Sequence, residues 1–178
     1  RMKGMVFDML RDMVEENYGL DGWQAVLDGA DSDGMFISTE TYHDQALLDL
    51  VASASEVTGI DANDLVYAFG QYMVTQFYQR FPQFFECDGL FPFLLSVDHL
   101  IHVEVRKLFP DAGVPQFEYD EQLPDKLTML YKSPRKLCKL AEGLIDGSAK
   151  HFKQDYQLTH DVCMHKGDDR CHLLVTLQ

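Results

Sequence analysis

The chain has 178 residues, of which 46% are apolar, 12% aromatic and 25% charged, the length of about one domain and the composition of a folded one. Twenty-nine Asp and Glu against fifteen Lys and Arg leave a net charge of −14. Such a surface repels phosphate backbones and anionic lipid, which excludes a general binder of nucleic acid or of a membrane surface. The deficit is uneven: residues 1–70 carry fourteen acidic and three basic side chains, whereas 131–153 carry six basic and two acidic. That local excess of positive charge points to something anionic held there. Asp, Gln or Arg interrupts each hydrophobic stretch before the roughly eighteen residues of a membrane span. The N-terminus lacks a secretory pattern, and four cysteines are too few for a disulfide scaffold. A cytoplasmic location with mostly reduced thiols is the expectation.

The first ninety residues read as helices. Met5, Met9, Met13, Leu10 and Val14 recur at helical spacing until Gly19 ends the pattern. Asp21 opens a second helix carrying Trp23, Val26 and Leu27. Ser38 or Thr39 opens a third, through Leu47, Leu48, Val51 and Val57 to Gly59, a glycine at the usual C-terminal position. Asp61 caps a fourth, through Leu65, Phe69, Met73 and Phe77 to Pro82. In the helix predicted over 91–109, Leu94, Leu95, Asp98, Ile101, His102, Val105, Leu108 and Phe109 share one face, setting one imidazole and one carboxylate in an apolar stripe.

After Pro110 the character changes. Residues 110–125 read as a connection, Leu127–Tyr131 as a strand, and Ser133-Pro134 as the start of a helix running to about Phe152. Two strands, about 155–164 and 171–178, flank a turn with Gly167-Asp168-Asp169. The expected class is α+β: a helical lobe over about 1–62, then an α+β lobe with an antiparallel sheet over about 63–178.

Three constellations carry chemistry. His102 reads either as a core histidine or as a ligand whose neutral imidazole reaches a haem iron, the apolar neighbours facing a flat macrocycle. Asp98, one turn earlier, reads either as a carboxylate at the edge of the stripe or as a group that orients that ring. Tyr131-Lys132-Ser133-Pro134-Arg135 reads either as a capped helix start with an exposed arginine or as two hydroxyls and an arginine fork suited to a pair of carboxylates. His160, Cys163 and Cys171 straddle the C-terminal hairpin, and with Cys138 they offer a Cys3His set that reads as a closed zinc site, as buried thiols or as a disulfide. His165 and His172 are nearby alternatives as ligands, and Cys87 stands apart as a free thiol.

His102-Val103-Glu104-Val105 followed some thirty residues later by Tyr-x-Ser-x-Arg resembles the haem nitric oxide/oxygen binding (H-NOX) family. Met2-Lys3-Gly4, Phe81-Pro82, Glu142-Gly143-Leu144-Ile145-Asp146-Gly147 and Lys150-His151-Phe152 resemble further family segments, so the likeness covers nearly the whole chain. It implies haem b between the two lobes, with His102 as the proximal iron ligand and Tyr131, Ser133 and Arg135 holding the propionates. His99 is the next candidate ligand. The cysteine set is similar to the zinc-bearing, stand-alone bacterial subgroup, which implies zinc on Cys138, His160, Cys163 and Cys171. Asp44 falls where some relatives pair a carboxylate with the motif arginine.

The resemblance also places Val6, Leu10, Met73, Pro115, Leu140 and Leu144 in the haem pocket. Oxygen-binding relatives carry a tyrosine where this chain has Leu140, so no hydrogen-bond donor is evident. This implies a sensor for nitric oxide, and CO, rather than stable oxygen. Release of the bond to His102 then moves its helix against the C-terminal lobe. No catalytic domain is read in the chain, so it is expected not to be an enzyme. Its output is expected in trans, through a histidine kinase, a diguanylate cyclase or a phosphodiesterase, with the acidic N-terminal surface either a solvated face or a docking face. The alternative reading is a thiol/zinc redox sensor acting through the C-terminal cysteines.

Overall fold

The computed structural model describes residues 2–99, 103, 105–108, 116–120, 122–133 and 135–178. His102, Pro115, Ile101 and Phe109 lie outside the described residues. A two-residue strand β1 (Met2–Lys3) leads into α1 (Gly4–Gly29), followed by β2 (Thr41–Tyr42), α2 (Asp44–Thr58) and α3 (Ala62–Arg80). A 3-10 turn over Pro82–Phe85 precedes α4 (Leu90–His99) and the short α5 (Val105–Leu108). Then come β3 (Gln116–Asp120), β4 (Lys126–Lys132), α6 (Cys138–His151), β5 (Tyr156–Thr159) and β6 (Cys171–Leu177). The four later strands form one antiparallel sheet in the order β3-β4-β6-β5. The α+β class expected from the sequence is the class observed. Among the described residues no helix is long and apolar enough to cross a membrane.

Local signals placed the helices well. Gly19 sits at φ 72°, ψ −178°, a conformation closed to residues with a Cβ, so the break expected there is a kink within α1. Asp61 accepts a 2.9 Å hydrogen bond from the Asn63 amide and caps α3, and Gly59 closes α2 through its amide to the Ser55 carbonyl.

Three expectations fail, the first two because a distant segment intervenes and the third because of a local turn. The helix predicted from Ser38 starts at Asp44, because Thr41 and Tyr42 pair as a strand with Lys3 and Met2. The connection predicted over 110–125 contains β3, which pairs with β4 from Gln116↔Lys132 to Asp120↔Thr128. The helix predicted from Ser133 starts at Cys138. Lys136 has φ 51°, outside the helical region, and the Ser133 hydroxyl accepts from the Arg135 amide within a turn (3.3 Å) rather than capping a helix.

Buried side chains fall into two clusters. One gathers α1 and α2 residues such as Phe7, Met9, Leu27, Leu47 and Leu50 with Leu65, Phe69 and Met73 of α3. The other joins α4, α6 and the sheet, with Leu90, Leu94, Ile145, Leu173 and Val175 among its members. α3 serves both, since Val74 is buried in the second cluster and Phe77 packs against each.

α3 meets α6 backbone to backbone. A methyl added at Gly70 would lie 2.5 Å from the Leu140 carbonyl oxygen and 2.8 Å from the Leu144 amide nitrogen, and one at Gly143 would collide with the Tyr67 carbonyl. Polar contacts lock the same crossing. Asp146 accepts from Gln71 (2.5 Å) and Tyr156 (2.6 Å) and pairs with Lys150 at 2.9 Å. Burial opposes ionisation of Asp146, but these partners outweigh it and hold its pKa below the ordinary value. Gly143→Ala is therefore expected to destabilise the protein by about 1–3 kcal/mol through overpacking, read as a lower urea midpoint. An unchanged midpoint would show that the two helices separate without strain.

Candidate functional site

The Tyr131, Ser133 and Arg135 motif occupies the end of β4 and the turn that follows. Tyr131 and Ser133 are 3% and 1% exposed. Burial pushes the Tyr131 phenol above its ordinary value of 10, while contacts with the Ser133 hydroxyl and the Leu137 backbone pull it the other way. Arg135 Nε lies 2.9 Å from a carboxylate oxygen of Asp44, at the start of α2. Burial opposes ionisation of Asp44, but its cationic partners, Arg135 first among them, outweigh it and its pKa falls below 3.8. The pair ties the helical part of the chain to the sheet across 91 positions. The positive excess over 131–153 is largely met within the protein: Lys132 pairs with Asp169, Arg135 with Asp44, Lys139 with Glu142 and Lys150 with Asp146. An anionic ligand thus has to share Arg135 with Asp44.

The apolar residues singled out in the sequence converge. Leu10 and Met73 are buried in the helical cluster, and Val6, Leu140 and Leu144 pack against it while remaining partly exposed. Leu144 also touches the second cluster. Five side chains from α1, α3 and α6 thus share an apolar region, and none of the five carries a hydrogen-bond donor. Asp98 accepts from the Phe117 amide at 3.3 Å, so it helps seat β3 against α4. His99 is exposed.

The cysteines meet as well. One ligand atom from each of Cys138, His160, Cys163 and Cys171 lies within 4.8 Å of the others, and the Cys163 sulfur is 3.7 Å from both the Cys138 and the Cys171 sulfur. Thiolates about 2.3 Å from a tetrahedral zinc are about 3.8 Å apart, so this spacing fits zinc. It is far from the bonded ~2 Å of a disulfide, and all four cysteines are free. Burial, with neighbouring thiols adding to it, pushes Cys138 up to about 12 and also raises Cys171. Burial opposes ionisation of Cys163 too, but the His165 backbone and the adjacent sulfurs lower it. Thiols raised by burial and by one another are held together as thiolates when a cation sits between them.

His160 Nε2 is buried without a hydrogen-bond partner, which is the nitrogen a metal would use. Of the alternative ligands, His165 is exposed and bonded through Nε2 to the Lys136 carbonyl at 2.7 Å. His172 alternates with Cys171 along β6 and so points to the other sheet face. Cys87 stands apart, its sulfur 3.9 Å from the Phe84 carbonyl.

The two groups of residues are neighbours, for Tyr131 of β4 is paired directly with Cys171 of β6. Glu142, which no motif in the sequence singles out as a site residue, is 7% exposed and faces His160 and Lys139. Its spacing of four from Cys138 was the available signal, because such residues share a helix face.

The family model described as haem-NO-binding (HNOB) matches residues 3–160. The chain belongs to the haem-NO-binding family. An H-NOX protein from S. oneidensis, solved in its Fe(II)NO state, is 33% identical with a TM-score of 0.92, each chain being covered to 99%. The Fe(II) unliganded H-NOX protein from K. algicida is 26% identical, with a TM-score of 0.91 and coverage of 99% of this chain and 97% of that one. Soluble guanylate cyclase 89Db of Drosophila melanogaster is 27% identical over 157 residues, 85% of this chain but 23% of that protein. This haem-NO-binding chain thus spans about a quarter of the length of the curated relatives it matches.

The Asp44–Arg135 pair yields a pH-dependent expectation. A carboxylate whose pKa is depressed on folding stabilises the native state above its unfolded value, and the contribution is lost as pH falls through the folded value. Asp44→Asn should cost about 1–2 kcal/mol near neutrality for a partly buried pair. Its deficit against wild type should narrow as pH falls below the ordinary 3.8. Thermal melts from pH 7 to pH 3 measure this, and a deficit independent of pH would exclude an ionic contribution.

Proposed function

We propose that this haem-NO-binding domain is a haem-based gas sensor that takes nitric oxide, and CO, at ferrous haem b and does not hold oxygen stably. The observation that carries the reading is the donor-free apolar region formed by Val6, Leu10, Met73, Leu140 and Leu144. An iron-bound ligand with partial negative charge needs a hydrogen-bond donor there, and nitric oxide does not. The residues fit a haem: Val6, Leu140 and Leu144, partly exposed beside buried Leu10 and Met73, offer an apolar face, and Tyr131, Ser133 and Arg135 are close in the chain for two propionates. The bound haem would supply an iron able to coordinate a diatomic gas.

The chain's own residues then have separate tasks. By the resemblance His102 would ligate the iron, and Pro115 would belong to the haem site. Tyr131, at the end of β4, and Ser133, in the turn after it, would donate to carboxylates, and Arg135 would divide its charge between those carboxylates and Asp44. Leu140 and Leu144 exclude polar contacts on the gas side. The unit is one domain with a helical lobe over about 1–62 and an α+β lobe over about 63–178. α3 bridges the lobes because it packs in both clusters. Movement of the His102 segment against the second lobe would change the surface offered to a partner in trans, a histidine kinase or a diguanylate cyclase or phosphodiesterase, in the cytoplasm. Cys138, His160, Cys163 and Cys171 would hold a structural zinc, as in the zinc-bearing stand-alone subgroup. Family membership favours haem sensing over the thiol/zinc redox alternative.

Visible spectra of the reduced protein test the reading. Nitric oxide and CO should each shift the haem band, and air should oxidise the haem without a stable oxygen complex. Absence of any haem band would overturn the function, and a stable oxygen complex would overturn the selectivity. His102→Gly should lose haem unless imidazole is added, while a histidine-type spectrum without it would transfer the ligand role, with His99 the first candidate.

A further inference from the structure

Glu142 sits one turn beyond Cys138 on α6 and is 7% exposed. A carboxylate is rarely buried without a task, since desolvation of its charge is costly. Lys139, on the same helix, lies 3.0 Å from Oε2, but its side chain is 47% exposed. A Glu–Lys pair spaced i, i+3 forms equally well on the helix surface, so Lys139 does not account for the burial. The other oxygen, Oε1, lies 3.7 Å from His160 Nδ1, slightly beyond hydrogen-bond length. The opposite ring nitrogen, Nε2, is buried and without a hydrogen-bond partner, and His160 belongs to the cluster whose ligand atoms lie within 4.8 Å of one another. One imidazole thus has a carboxylate on one side and three sulfurs close to it.

We propose that Glu142 is a positioning residue for metal binding: it accepts the Nδ1 proton of His160, fixing the tautomer and ring angle that present the Nε2 lone pair to a zinc held with Cys138, Cys163 and Cys171. The inference rests on the zinc reading above and adds a residue to it. The charge balance agrees. Three thiolates and a neutral imidazole around a divalent ion carry one negative charge, and the Glu142–Lys139 pair adds none. Glu142 can therefore be buried beside the site without increasing its net charge. Because Cys138 and Glu142 share one face of α6, the helix that supplies a ligand also supplies the group that orients the ligand from the β5–β6 connection.

The test is zinc affinity of the reduced holoprotein, measured by competition with a chromophoric chelator, for wild type, Glu142→Gln and Glu142→Leu. Glu142→Leu should bind roughly 10- to 100-fold more weakly, the usual effect of removing a carboxylate behind a ligating histidine. Glu142→Gln keeps an accepting oxygen and should recover part of that loss. Long-range 1H–15N spectra of the zinc-loaded wild type should show His160 protonated at Nδ1. Wild type that takes up no zinc overturns the underlying zinc site. Tight wild-type binding with both variants equal to it, or an Nε2-protonated His160, overturns the role of Glu142. If Glu142→Leu does not fold, Glu142→Gln decides: several-fold weaker binding supports the proposal and wild-type affinity ends it.

Discussion

The close crossing of α3 and α6 is the constraint on which the rest of the molecule depends. Gly70 and Gly143 let the two backbones touch, so α6 has little freedom to rotate or slide. That setting decides which way each α6 side chain faces. Leu140 and Leu144 face the apolar region shared with α1 and α3, whereas Cys138 and Ile145 are buried against the sheet. A small rotation of α6 would misplace both sets together. Asp146, bonded to Gln71 of α3 and Tyr156 of β5, adds direction to a contact that van der Waals packing alone leaves free to slide.

The sheet joins the two groups of functional side chains. The β4–β6 register sets Tyr131 opposite Cys171, placing the motif proposed for propionates next to the cluster proposed for zinc. Met164 donates its amide to the Cys171 sulfur at 3.2 Å, and Asp168 accepts the Cys163 amide at 3.0 Å. The hairpin between β5 and β6 is thus ordered around its cysteines. Rigid backbone on both sides of a ligand set reduces the conformational entropy lost when a metal binds.

Buried or half-buried carboxylates recur where elements meet. Asp44 joins α2 to the turn after β4, Glu142 joins α6 to the β5–β6 connection, and Asp146 joins α3, α6 and β5. Each is ionised against the cost of burial because its partners outweigh that cost. Such pairs contribute less to stability than apolar packing. They select one relative placement of elements that hydrophobic contact would allow to vary, and they leave the acidic excess of residues 1–70 mainly on the surface.

Local patterns in the sequence were enough for the helices, for the kink at Gly19 and for the cap at Asp61, because periodicity, glycine and capping residues act within a few positions. The residue types of the candidate sites were legible in the same way: a tyrosine, a serine and an arginine in one short motif, three cysteines and a histidine near the C-terminus, and leucines where a donor would be needed. Glu142 was legible only as an i+4 neighbour of Cys138, since nothing nearby in sequence announced that its carboxylate would be buried. β3, the late start of α2 and the turn before α6 were not legible, because they depend on pairing with Lys132–Thr128, pairing with Met2–Lys3, and the positive φ of Lys136. Sequence by itself determined the family and the chemistry available. Only the tertiary structure decided that Asp44 meets Arg135 across 91 positions and that Cys138 meets the C-terminal hairpin. Such long-range contacts follow from how helices seat on a sheet, which periodicity within one segment does not encode.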